Sequence, residues 1–216
     1  QNPAMGLRSI RFSLQNKPVF AEQIRAMLRA GANADLRIMF PMISSIDEFC
    51  EARDIVFECI DELRKKNIEH NSKPKLGIMV ELPCIVDLMD DFAKEAEFFS
   101  IGTNDFIQFM IGVDRTNENI AASYVPHHPS VLRALNKVVQ SANKNNRLIS
   151  ICGEMAHHEK YIPFLLGIGV RTLSMDPRFL PRIQQIISNI DITEAEKTAE
   201  KMLARPKISE VSQILG

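Results

Sequence analysis

The sequence predicts an α/β fold, a (β/α)8 TIM barrel truncated to about its last five strand–helix units. Three observations carry that expectation: apolar runs of strand length recur, helical patterns separate them, and no glycine-rich turn follows the first run. The runs are 36–40 (LRIMF), 76–80 (LGIMV), 98–101 (FFSI), 148–152 (LISIC) and 172–175 (TLSM). They lack a polar face, as strands covered on both sides of a parallel sheet do. Alternation of strand and helix implies right-handed βαβ crossovers. The rival is an intact open sheet of five strands, but a doubly wound nucleotide fold would carry glycines in its first βα turn. A whole barrel takes about 250 residues, and this chain has 216 with a helix from about Ala4 ahead of its first run. The expectation is therefore one domain over 1–216, the C-terminal five-eighths of a barrel within a larger protein.

The elements follow in order. After the first run, Ser45 and Glu48 form a capping box, and Ile46, Phe49, Val56, Ile60 and Leu63 make a helical stripe behind it. A second helix is expected to be capped by Ser130 just after Pro129, with Val131, Leu135, Val138 and Val139 on one face. The apolar segment 162–170 (IPFLLGIGV) is too short to span a bilayer. From about Asp191 the pattern is an exposed, charged helix ending near Pro206.

Composition narrows the function classes. A chain that is 45% hydrophobic and 25% charged suits one soluble domain, and a net charge of −1 offers no electrostatic footprint for nucleic acid or an acidic membrane. The four cysteines include no C-x-x-C pair, which fits neither a disulfide scaffold nor a zinc knuckle and points to a reducing cytoplasm. The first residues carry no basic-then-apolar leader pattern.

Barrel sites are built at the C-terminal ends of the strands, and here those ends are chemically equipped. The second run ends in Glu81, the third enters Gly102-Thr103-Asn104-Asp105, and the fourth ends in Cys152-Gly153-Glu154. Two carboxylates on adjacent strand ends suit Mg²⁺, which keeps most of its water shell. Arg8, Arg37 and Arg115 could supply charge for a phosphorylated ligand. Each residue also has a plainer reading. Glu81 and Asp105 could favour the starts of the following helices, and Arg37 could be a surface residue paired with a neighbouring acid. Cys152 could be a small core hydrophobe, a metal ligand with His157 and His158, or an acid–base group.

The segments RIMFPM (37–42), VELP (80–83), FFSIGTNDFIQF (98–109), VDR (113–115) and CGEMA (152–156) resemble, in order and spacing, the motifs of the enzyme I family of the bacterial sugar phosphotransferase system. That family lies within the phosphoenolpyruvate-utilising enzymes, with pyruvate phosphate dikinase and phosphoenolpyruvate synthase. The resemblance implies a phosphoenolpyruvate-binding TIM-barrel domain that holds Mg²⁺, with Mn²⁺ as an alternative, and forms a cytoplasmic homodimer. It implies Glu81 and Asp105 as metal ligands. It also implies Asn104 and the Asp105 backbone on the phosphate, with Arg8, Arg37 and Arg115, and Cys152 as the acid–base group for pyruvate. The phosphoryl group would pass to a histidine in an N-terminal region and on to the phosphocarrier protein HPr. The sequence departs from the family at Leu82, where threonine is usual, and at His157-His158, where Gly-Asp is usual. The alternatives are the matching domain of a dikinase or synthase, or a barrel kept only for dimerisation or regulation.

Overall fold

The apolar runs from 36 to 152 all become parallel strands. The computed structural model describes residues 3–216. A 3-10 turn at Pro3–Met5 precedes α1 (Ser9–Gln15) and α2 (Lys17–Ala30). Then come β1 (Arg37–Phe40), α3 (Ile46–Lys65), β2 (Lys75–Val80), α4 (Met89–Glu95), β3 (Phe98–Gly102), α5 (Thr103–Ile111), α6 (Pro129–Lys144), β4 (Leu148–Cys152) and α7 (Ile162–Gly167). Helices α8 (Leu180–Ile187), α9 (Ile192–Ala204) and α10 (Ile208–Leu215) follow. Spatial strand order is β1-β2-β3-β4, every pair parallel. An order that follows the chain without reversing is that of a barrel arc; a doubly wound sheet turns back at its switch point.

Register divides the sheet into two faces, because successive Cβ atoms alternate sides. On one face Ile38, Phe40, Ile78, Val80, Phe99, Ile101 and Ile151 are buried in one cluster with Phe49 and Val56 of α3, Phe92 of α4 and Leu135 and Val138 of α6. Each such side chain contributes about 1.5–3 kcal/mol when removed from water. The other face holds Met39, Met79, Ser100, Ser150 and Cys152, paired across the strands through Met39↔Gly77, Met79↔Ser100, Ser100↔Ser150 and Gly102↔Cys152. This face is the concave side of the arc, and Leu148 on it is 58% exposed. The expectation of apolar cover on both sides therefore holds for one side only; methionine and glycine made the other look apolar by residue type.

The helix starts differ in detail from the expected ones. Ser45 Oγ accepts the Glu48 N–H at 3.2 Å, as a capping box requires. The Glu48 carboxylate instead accepts from the N–H and hydroxyl of Ser44, both at 2.7 Å. For α6 the cap is His128, not Ser130: its Nδ1 accepts the Ser130 N–H at 3.2 Å, and Pro129 occupies the first helical position. The fifth strand is reduced to a single bridge, Ile151↔Leu173. Two backbone bonds form there, Ile151 N–H to Thr172 O at 3.1 Å and Ser174 N–H to Ile151 O at 2.8 Å. Asp176 then caps a 3-10 turn at Pro177–Phe179 and leads the chain away from the sheet.

Candidate active site

Three successive βα turns, after β2, β3 and β4, place their polar residues together at the C-terminal edge of the sheet. Glu81 follows Val80 and so falls on the concave side. It is 7% exposed. Its Oε2 accepts the Met42 N–H at 2.7 Å, across from the turn after β1. Met42 has φ +58°, a left-handed conformation unusual for its type, and strain of this kind collects at functional sites. Gly102 leaves room for Glu81: a Cβ there would lie 2.9 Å from Glu81 Cγ. Burial is the main cause that pushes the Glu81 carboxyl above its ordinary range. The Met42 N–H opposes it, while the nearby Asp105 charge adds to it.

Asp105 lies in the first turn of α5, so the helix-start reading is also met. Its Oδ2 accepts from Arg8 Nη2 at 3.2 Å, which ties the segment before α1 to the site. One oxygen of each carboxylate takes these bonds, Glu81 Oε2 and Asp105 Oδ2.

Cys152 ends β4 opposite Gly102. Its Sγ lies 3.4 Å from Ile101 O and 4.0 Å from Ser100 Oγ. Burial raises the thiol above its ordinary range, Ser100 lowers it, and the Glu81 charge raises it further, so the protonated form is favoured. The turn beyond is fastened to the start of α5. Thr103 Oγ1 donates to Cys152 O at 2.7 Å, and Glu154 N–H donates to Asn104 Oδ1 at 2.9 Å. The Tyr124 hydroxyl donates to Asn104 O at 3.3 Å, and burial pushes that phenol well up. Arg115 reaches Glu154 Oε1 at 3.5 Å, and its backbone N–H donates to Gln108 Oε1 at 3.1 Å.

The structure thus groups Arg8, Glu81, Asn104, Asp105, Arg115 and Cys152 around one edge. Arg37 is the correction. It is the first residue of β1, so about 3.3 Å of rise per residue puts it roughly 10 Å from the strand's other end, on the far edge of the sheet. There it pairs with Asp35 at 3.0 Å, the surface reading of its charge. The Cys–His metal reading also fails. His157 stacks on Phe179 with centroids 4.1 Å apart, and His158 packs against Tyr161. Among the described residues, no three His, Cys, Asp or Glu are placed to hold a metal ion. Leu82 is 8% exposed and belongs to the core. Sequence reasoning missed Thr103, Tyr124 and the Met42 N–H. Thr103 stood inside the Gly-Thr-Asn-Asp stretch, whereas a backbone donor leaves no trace in a sequence.

A (β/α)-type sheet with two acids, arginines and a thiol gathered at its C-terminal edge has the arrangement of an enzyme site. The chain belongs to the phosphoenolpyruvate-utilising enzymes: the family model described as "PEP-utilising enzyme, PEP-binding domain" matches residues 1–192. Its relatives include phosphoenolpyruvate-protein phosphotransferases. That of Mycoplasma capricolum is 42% identical over 214 residues, 99% of this chain and 37% of that protein. That of Bacillus subtilis is 40% identical over 210 residues, 97% of this chain and 37% of that protein. The chain thus spans less than two fifths of the length of these relatives. Among solved structures it is similar to a citrate lyase from Burkholderia xenovorans, with TM-score 0.57 and 19% identity over 85% of this chain and 58% of that one. An HpcH/HpaI aldolase/citrate lyase family protein from Burkholderia cenocepacia matches with TM-score 0.53 and 16% identity, covering 78% of this chain and 68% of that one. These last two share the fold alone.

No helix among the described residues is long and apolar enough to cross a membrane.

Proposed function

We propose that residues 1–216 are the phosphoenolpyruvate-binding C-terminal domain of a cytoplasmic phosphoenolpyruvate-protein phosphotransferase. The observation that carries this reading is the convergence of Glu81, Asp105 and Arg8 beside the Cys152 thiol. In the whole protein the phosphoryl group passes to a histidine on an N-terminal domain, then to the phosphocarrier protein HPr, as the first step of the sugar phosphotransferase relay. The catalytic unit is a homodimer.

The donor set fits a hard divalent cation. Glu81 and Asp105 repel one another across the turn, and each uses only one oxygen in the bonds described. Glu81 and Asp105 would hold such a cation, whose charge would offset that repulsion. Mg²⁺, or Mn²⁺ in its place, supplies charge stabilisation for the phosphate and the enolate oxygen. Arg8 and Arg115 add positive charge for the phosphate. The Asn104 amide oxygen is engaged by Glu154, so its NH₂ group is the end left to donate to that anion.

Loss of the phosphoryl group leaves the enolate of pyruvate, whose methylene carbon needs a proton. Cys152 supplies it: the S–H bond breaks, a C–H bond forms, and the thiolate regains its proton from water. A thiol raised by burial arrives protonated, as a general acid must. The test uses the full-length protein. Calorimetry with phosphoenolpyruvate and Mg²⁺ should show metal-dependent binding that Asp105→Ala weakens strongly. Cys152→Ala should still bind but lose pyruvate release by about 10²–10⁴-fold. Unchanged binding in Asp105→Ala, or full activity in Cys152→Ala, would overturn the assignment.

A further inference from the structure

We propose that Thr103 is the positioning residue for Cys152, its hydroxyl fixing the strand end that carries the thiol; this rests on the functional reading above. The β3–β4 register ends at Gly102↔Cys152. One residue on, Thr103 is fully buried and takes over with a side-chain bond, donating to Cys152 O at 2.7 Å. The thiol reaches Ile101 O at 3.4 Å and Ser100 Oγ only at 4.0 Å. A thiol is a weak donor and its sulfur a weak acceptor of the Ser100 hydroxyl, so the direction of the S–H depends largely on where the Cys152 backbone is held. Thr103 supplies a short bond at that backbone, beyond the last ladder pair.

The anchoring is reciprocal. Beyond Cys152, Gly153 takes a left-handed conformation, and Glu154 N–H returns to Asn104 Oδ1 at 2.9 Å. Two bonds on either side of Gly153 therefore fasten the cysteine turn to consecutive residues of α5, and the second of these is the proposed phosphate contact. Phosphate held at Asn104 and a proton delivered from Cys152 share one rigid joint. A misplacement of about 1 Å can cost on the order of 100-fold in rate. The Thr103 bond holds the Cys152 side of Gly153 and the Asn104 bond the Glu154 side, so loss of the hydroxyl should act chiefly on the carbon step.

The test compares Thr103→Val, which keeps the shape and removes the hydroxyl, with Thr103→Ser, which keeps the hydroxyl. In the full-length protein Thr103→Val should lower kcat for pyruvate release by about 10- to 100-fold. Its affinity for phosphoenolpyruvate with Mg²⁺ should stay within about threefold of wild type, and Thr103→Ser should restore kcat. A second readout is iodoacetamide alkylation followed at the Cys152 peptide across pH. Thr103→Val should move its midpoint downward as the loosened thiol meets water, with Thr103→Ser unmoved. Wild-type kcat in Thr103→Val overturns the inference, as does an equal loss of binding and kcat in both variants. If wild type neither binds phosphoenolpyruvate nor releases pyruvate, the functional reading falls. The alkylation profile then decides the positioning of Cys152 by itself.

Discussion

Adding a single methyl group at Gly153 tests the joint between the two turns most directly. Gly153 has φ +91° and ψ −173°, a region that essentially only glycine occupies. A Cβ there would lie 2.4 Å from Thr103 Oγ1 and 2.8 Å from Asn104 Oδ1. Both atoms are already committed, one to Cys152 O and the other to Glu154 N–H, so neither can withdraw without breaking a bond. The backbone contributes about 1–3 kcal/mol of strain, crowding about 1–3 kcal/mol, and a lost hydrogen bond about 1 kcal/mol. Gly153→Ala should therefore cost roughly 3–7 kcal/mol, a large share of the ~5–15 kcal/mol of a whole domain. Gly112 is the internal control. It too has a positive φ, +64°, but a methyl group added there would meet nothing within 4 Å. Gly112→Ala should cost only the left-handed backbone penalty, about 1–2 kcal/mol. Urea denaturation at unchanged m-value reads both. Costs for the two variants within about 1 kcal/mol of each other would refute the steric account of the joint.

Two further outcomes are expected. Burial and Asp105 raise the folded carboxyl of Glu81, so its stabilising contribution is complete below its unfolded range and disappears as pH rises through the folded one. Without metal, Glu81→Gln should be more stable than wild type by about 1 kcal/mol at neutral pH. That advantage should vanish in acid, and thermal scans with a gap that ignores pH would contradict it. Arg37→Ala should leave substrate affinity unchanged and cost under about 1 kcal/mol, since its pair with Asp35 is solvent-exposed; calorimetric loss of binding would return Arg37 to the site.

Four strands were legible because each is a mostly apolar run whose alternate positions seal against helices, and burial of that kind is written in residue type. The segment 172–175 carried the same signal, yet only Leu173 bridges to β4 before the Asp176-capped turn intervenes. Pairing depends on the neighbouring strand and on the turn beyond, which the composition of the run does not encode. His128 was missed as a cap because imidazole is an uncommon acceptor there, so the expected cap at Ser130 fell two residues late and Pro129 is the first helical residue. Glu81, Asp105 and Cys152 could be placed together at one edge because strand ends are legible once strands are. Arg37 was misplaced because its motif spans a whole strand, and a strand has two ends. Thr103 was overlooked for the opposite reason: a hydroxyl amid louder neighbours acquires meaning only through the carbonyl it meets.

Strand order that follows chain order also bears on synthesis. β2 pairs with β1, β3 with β2 and β4 with β3, so each strand from β2 on finds its partner already synthesised. Each unit emerges onto an edge already made, which limits the time an unpaired edge stays open to aggregation. Arg8, Glu81 and Asp105 all precede the cysteine turn in the chain, so the proposed anion- and cation-binding half of the site is synthesised while Cys152 is still unmade.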